Sequence, residues 1–409
     1  MTVKVAHCFF IIHLICFVSS IFADDIDLNA EYYVQGIKSY QEGKFLQAVE
    51  YFSKIIQNNP SYEDVYFCRG KARRKIPGHT RQAIEDFTAA LTFDPDAVFT
   101  YKERGEAYKD IRELDNALSD FNKAITIDPS FSELYLHVGF VFMDQRKYNE
   151  ALAIFARAAA NKSSYSEPWY YRGVCFHKIG RLNEALESFN KAVELDPLSD
   201  VSYTAVASVY MEINRNGEAF DTVNKALMVN PGNSKAYAVR GGIYGKTGKV
   251  EEAVEDYTRS LLLNPNDGAV YFNRGDMYRR LRHFEKALAD INKAMMLLPN
   301  DKECYILSGV IKAELRNFKA ALEELTYALT LDPFSSNAYI NRSLILFNLG
   351  RYVESIEDIN AAIKYNSSNK AYYGYRSNMY QRMAEVSNDK AQQEEYRKKA
   401  QEDRMRAGM

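Results

Sequence analysis

Arg274-Gly275-Asp276, inside the stretch YFNRGDMYRR, is one place where residue type and spacing could act directly on a partner. Such a triplet serves adhesion only from an exposed, extended loop, so its meaning depends on the element that carries it. Residues that could do catalysis are sparse. His79, His137, His177 and His283 are scattered singly, and a lone histidine on a helix is ordinarily a core or surface residue. Cys68, Cys175 and Cys304 are an odd set more than 100 residues apart with no CxxC pair, which argues against a disulfide framework and a zinc site. The sequence has no GxSxG, HExxH or phosphate-binding glycine loop. The expectation is a non-enzyme without cofactor or metal. Three sequons occur, at Asn161, Asn341 and Asn366; Asn161 and Asn366 fall at turns and are the candidate glycosylation sites.

Composition narrows the partners. The 409 residues are 47% hydrophobic and 26% charged, with a formal net charge of -2. That is ordinary folded material with no basic surplus for nucleic acid. Residues 1–23 form a distinct segment: Lys4, then an apolar run with no formal charge from Val5 to Ala23, then Asp24 and Asp25. This is the layout of a secretory signal peptide, cleaved after Ala23 or Ser20. The alternative is an uncleaved signal anchor, since the run is just long enough to span a bilayer. With cleavage, no membrane association is expected, and the chain belongs in the secretory pathway, in the endoplasmic reticulum lumen or secreted.

The elements that position these residues follow from a repeat. Pro95, Pro129, Pro197, Pro231, Pro265, Pro299 and Pro333 stand on one 34-residue ladder, with Ser163 and Ser367 on the two rungs lacking proline. Aromatics recur at the same step from Tyr101 to Tyr373, and a small residue follows each by four. Within a unit, Tyr271, Arg274, Gly275 and Tyr278 share one helical face, and Phe284, Ala287, Leu288, Ile291 and Ala294 share another. Between them RLRH is a short turn, and LPND ends the second helix because proline cannot continue it. Each unit is therefore a helix, a turn and an antiparallel helix.

This pattern resembles the tetratricopeptide repeat family. The resemblance spans 29–383: ten complete units and the first helix of an eleventh, followed by a polar capping helix over 384–409. It implies an all-α, right-handed superhelical solenoid whose first helices line a concave groove. With Tyr271 as position 4 of its unit, the family's known carboxylate clamp needs Lys at position 5 with Asn at position 9. No unit combines them, so carboxylate-clamp chaperone tails are not the expected ligand. The groove positions are instead apolar: Phe67, Leu136, Phe140, Tyr170, Tyr171, Val174 and Phe272 are the candidate peptide-binding residues. The resemblance implies a protein- or peptide-binding scaffold, such as a luminal co-chaperone or client holder without a J-domain. The alternative is a membrane-anchored assembly or import receptor.

The register also reinterprets Arg274. Arginine recurs at position 7 as Arg69, Arg104, Arg172, Arg240, Arg342 and Arg376. Five of the arginine-bearing units carry aspartate at position 23: Asp86, Asp120, Asp256, Asp290 and Asp358. Units with Gln35, Val138 or Val206 have Tyr51, Ile154 or Thr222 there, and Arg172 is matched by Ser188. The expectation is an ion pair between the two helices of one unit. Arg-Gly-Asp is then a helical segment and no adhesion motif.

Overall fold

The computed structural model describes residues 28–161 and 164–408. The segment read as a signal, 1–23, lies outside the described residues. Among the described residues all regular structure is helical, in 22 helices. They form pairs in chain order: α1 (Leu28–Gln41) with α2 (Phe45–Asn58), α3 (Glu63–Arg74) with α4 (Thr80–Phe93), α5 (Val98–Asp110) with α6 (Leu114–Ile127), α7 (Ser132–Asp144) with α8 (Tyr148–Asn161), and α9 (Ser166–Lys178) with α10 (Leu182–Leu195). These lie in one compact unit, which ends at Pro197. A second unit begins at Leu198. It holds α11 (Asp200–Glu212) with α12 (Asn216–Val229), α13 (Ser234–Lys246) with α14 (Val250–Leu263), α15 (Gly268–Arg280) with α16 (Phe284–Leu297), α17 (Lys302–Glu314) with α18 (Phe318–Leu331), α19 (Ser336–Asn348) with α20 (Tyr352–Tyr365), and α21 (Lys370–Val386) with α22 (Lys390–Ala407). The pairs are numbered below as repeats 1 to 11. No helix among the described residues is long and apolar enough to cross a membrane.

Local chemistry sets the helix ends. In each of the first ten pairs the turn between the helices contains one residue in the left-handed region. It is Gly43, Gly78, Gly180, Gly248 or Gly350 in five pairs, and Arg112, Arg146, Asn214, Arg282 or Arg316 in the other five. Between repeats, the residue before the ladder proline closes a small loop. The side-chain oxygen of Asn59, Asp94, Asp128, Asn230, Asn264 or Asp332 accepts the backbone N–H two residues on. In the second unit the next helix is then capped by Ser199, Asn233, Asp267, Asp301, Ser335 or Asn369.

The helices of a pair approach closely because position 8 is small. A methyl group on Gly275 would lie 2.7 Å from the Ile291 side chain, and one on Gly105 2.6 Å from Phe121. A large side chain fills the gap in repeat after repeat: Phe52, Phe87, Phe121, Phe155, Phe189 and Tyr257 are all buried. Where position 8 gains a side chain, its partner changes. Ala207 faces the smaller Val223 in one apolar cluster. Ser343 meets Ser355 in reciprocal hydrogen bonds: each hydroxyl donates to the other's backbone carbonyl, at 2.8 and 2.9 Å. Both serines are fully buried, so these bonds satisfy groups that would otherwise be costly.

α22 packs back on α21 as the second helix of an eleventh pair. Only Ala400 and Asp403 are buried along it. Ser377 at position 8 of α21 donates to the Ala400 carbonyl at 2.7 Å, so this polar helix is held by a small apolar contact and specific polar bonds.

Candidate functional site

The arginine at position 7 is built the same way in six repeats. Arg104 donates through Nε and a terminal nitrogen to both oxygens of Asp120, at 2.8 and 2.7 Å. Arg69 with Asp86, Arg240 with Asp256, Arg274 with Asp290 and Arg342 with Asp358 repeat this fork. Arg376 makes it with Asp403 of α22. The remaining terminal nitrogen reaches back to the preceding second helix and donates to Ser53, Thr88, Asn224, Thr258, Thr326 or Asn360. Each guanidinium also stands over the aromatic ring at position 4, as Arg274 does over Tyr271 at 5.7 Å. One arginine thus ties its own helix pair together and staples it to the pair before. Burial works against the charge of Arg274, but the bonds and charge of Asp290 outweigh it and hold the guanidinium above its ordinary range.

The Arg-Gly-Asp triplet is therefore fully engaged inside α15. Arg274 is held by Asp290, and Gly275 lies against Ile291. Asp276 accepts from Arg279 at 2.8 Å and Arg280 at 2.9 Å. Nothing in it is extended or free.

The first helices of repeats 2 to 5 form a continuous polar-to-aromatic row. Arg74 at the end of α3 meets Glu103, Glu106 and Asp110 of α5 at 2.9, 3.1 and 2.8 Å. Glu106 also contacts Lys109 at 2.8 Å and His137 Nδ1 of α7 at 2.7 Å, the latter outside hydrogen-bond geometry for the ring nitrogen. Burial opposes the charge on Glu106, but His137 and Lys109 outweigh it and hold the carboxyl down at about 2. Lys102, on the position the clamp would use, pairs with Glu133 at 2.7 Å. From His137 the row turns aromatic. The imidazole stacks on Phe121 at 5.3 Å, and its edge faces Phe140 at 6.4 Å. Phe140 meets Tyr171 of α9 edge-on at 4.6 Å, and Tyr171 meets Tyr170 at 5.2 Å.

The expected groove residues divide on this surface. Phe140, Tyr170 and Tyr171 come together as half-buried rings, and Val174 is half-buried on the same helix as the two tyrosines. Leu136 differs from the expectation: it is 3% exposed and sits in the core with Phe155 and Cys175, as Ile306 and Ile340 are buried at the same position of their repeats. Phe67 packs on Phe87 in the repeat 2 core, away from the ring cluster. Phe272 belongs to the second unit, against Ala287 and Ile291. The sequence reading missed the charged end of the row, although the alternation of Glu103, Glu106 and Asp110 on one face of α5 was available as a signal.

Of the glycosylation candidates, Asn161 is exposed and donates to the Pro129 carbonyl at 2.6 Å, while Ser163 of its sequon lies outside the described residues. Asn366 is the C-cap residue just after α20 and accepts from the Ser368 hydroxyl at 2.9 Å. Cys175 and Cys304 are buried and free, and burial pushes their thiols up to about 12 and about 11. Among the described residues no group of His, Cys, Asp and Glu could hold a metal ion.

Family models described as tetratricopeptide repeat match residues 101–131, 166–197, 234–267, 268–301 and 308–371. An uncharacterized protein of Methanocaldococcus jannaschii is 36% identical over 63 residues, covering 15% of this chain and 72% of that protein. Among solved structures, the Cut9–Hcn1 hetero-tetramer of the APC/C shares 12% identity over 94% of this chain and 98% of its own, with a TM-score of 0.50. A tetratricopeptide repeat protein from Parabacteroides merdae shares 17% identity over 62% and 99%, with a TM-score of 0.49. At 12% identity the likeness to the Cut9–Hcn1 structure is one of fold. Helix pairs, small-to-large packing at positions 8 and 24, and the family matches agree, and the chain belongs to the tetratricopeptide repeat family.

Proposed function

We propose that this protein is a non-enzymatic scaffold that holds an extended polypeptide segment on the first-helix face of repeats 3 to 5, as a co-chaperone or client holder in the lumen of the secretory pathway. Proteins of the tetratricopeptide repeat family serve as protein-binding scaffolds. The observation that carries the reading further is the cluster of Phe140, Tyr170 and Tyr171, three half-buried rings joined through Tyr171. Rigid aromatic side chains give large contact area at low entropic cost, and they dominate binding hot spots. The adjoining carboxylates and cations pair with one another, which leaves the rings as the anchors and the charges as a solvated rim.

The test uses a permanently unfolded client, reduced and carboxymethylated α-lactalbumin. Tyr170→Ala with Tyr171→Ala is expected to weaken its binding by about tenfold or more while helical content is retained. Unchanged affinity in a folded variant would discard this face. The luminal location rests on reading 1–23 as a cleaved signal. N-terminal sequencing of the mature chain should give a start near Asp24, and endoglycosidase treatment should shift the mobility of the wild type but not of Asn161→Gln with Asn366→Gln. A start at Met1 in a membrane fraction favours the second reading, an anchored assembly or import receptor, for which the uncharged run from Val5 to Ala23 is the observation.

A further inference from the structure

Arg172 breaks the arginine pattern at both ends. In six repeats the position 7 arginine is neutralised by an aspartate on one second helix and bonded by a hydroxyl or amide on the other. At the equivalent places around Arg172 stand Ser188, 3% exposed, and Ala156. A serine is too short to fork a guanidinium, and an alanine accepts nothing. Nε of Arg172 is buried without a hydrogen-bond partner. Among the described residues the terminal nitrogens make no hydrogen bond either, and the side chain is half-buried, so they remain open to a ligand. The guanidinium lies 4.5 Å over the ring of Trp169, closer than Arg274 lies over Tyr271 at 5.7 Å. Arg181, the neighbouring cation, is already satisfied by Glu184 at 2.6 Å. Glu187, whose charge acts on Arg172, is exposed and forms no ion pair with it among the described residues.

We propose that Arg172 on its Trp169 platform is a docking point for an aspartate or glutamate carboxylate of a partner polypeptide. The same chain shows the complement six times: a planar carboxylate, forked on the guanidinium, above an aromatic ring. Here the chain omits the carboxylate and keeps the arginine and the ring. A buried cation without a partner is costly, and an incoming carboxylate removes that cost, so recognition is selective for charge and shape together. The site belongs to the arginine row between second helices and does not rest on the ring cluster proposed above.

Trp169 is the only tryptophan, so its fluorescence reads this site alone. The probe is the peptide acetyl-Gly-Asp-Gly-amide at constant ionic strength, with acetyl-Gly-Asn-Gly-amide as control. A saturable change is expected with the first and none with the second. Arg172→Gln should weaken the response by about tenfold or more, the loss of one charge-assisted bond. Ser188→Asp should abolish it by supplying the carboxylate from within, and should raise Tm. The proposal is overturned by equal responses to the two peptides, by an unchanged titration in a folded Ser188→Asp variant, or by a lowered Tm in that variant. Tighter saturation by inorganic phosphate would overturn the carboxylate assignment.

Discussion

Removing the carboxylate of Asp290 leaves the Arg274 guanidinium between two second helices with nothing to balance its charge. Replacing a buried pair by well-packed apolar residues is often neutral, whereas breaking it from one side costs about 3 kcal/mol or more. The chain contains both solutions. Repeat 4 has Val138, 1% exposed, with Ile154 in place of the pair. Asp290→Ala is therefore expected to lower the local opening free energy of α15 and α16 by about 3 kcal/mol, and Arg274→Val with Asp290→Ile by less than half of that, read by native-state hydrogen exchange. If the double variant is the worse of the two, the staple is a stability device in its own right. The pairing was legible in sequence because aspartate stands at position 23 only in units that carry the arginine. The third partner was not: position 25 is polar even where no arginine follows, as at Asn122, Asn190 and Asn292, and is Ala156 before Arg172, so polarity there does not track the arginine. Leu136 was misplaced for a related reason. Position 5 is apolar in many units, yet it is buried at Leu136, Ile306 and Ile340 and half-buried at the rings of Phe67, Tyr170 and Phe272, so apolar character alone does not mark which side chains reach the surface.

Close packing of the helix pair rests on volume shared between positions 8 and 24. Gly275 has room for a side chain only if Ile291 retreats. Gly275→Ala is expected to destabilise by about 2 kcal/mol through overpacking, and Ile291→Val to recover most of that loss. Either alone should be worse than the pair, as the native combination of Ala207 with Val223 suggests. Thermal unfolding of the three variants checks it, and additive losses would show that the two positions do not share the space. At this scale most helices were legible, since proline, alanine and aromatic positions mark the same period. The eleventh pair was hidden by its own geometry. α21 has 17 residues where the other first helices of this unit have 13, and its aspartate stands 27 residues beyond Arg376 instead of 16. Lengthening one arm of a helical hairpin lengthens the return arm too, so the pairing residue moves by roughly three helical turns and leaves the ladder.

A repeat array differs from a globular domain in that its stability is close to a sum of local terms, so different parts can open separately. Two buried thiols allow that to be measured in this protein. Cys175 lies in repeat 5 of the first unit and Cys304 in repeat 9 of the second. Burial pushes both thiols up, so neither is reactive until its helix opens. Alkylation mapped peptide by peptide then reports each opening separately. α17, which carries Cys304, packs through Leu307 and Ile311 on Ala287 and Ile291 of α16. Asp290→Ala should therefore accelerate Cys304 labelling by about a hundredfold, the rate equivalent of a loss near 3 kcal/mol, and leave Cys175 within about twofold. Equal acceleration of both would mean that the described chain unfolds as one cooperative block. The chain would then place its docking surfaces on a single rigid frame, and binding at Arg172 would feel a mutation more than 100 residues away. Independent rates would instead make each repeat a separately tunable surface, which is what a scaffold assembled from duplicated helix pairs requires if one repeat is to lose its aspartate without cost to the others.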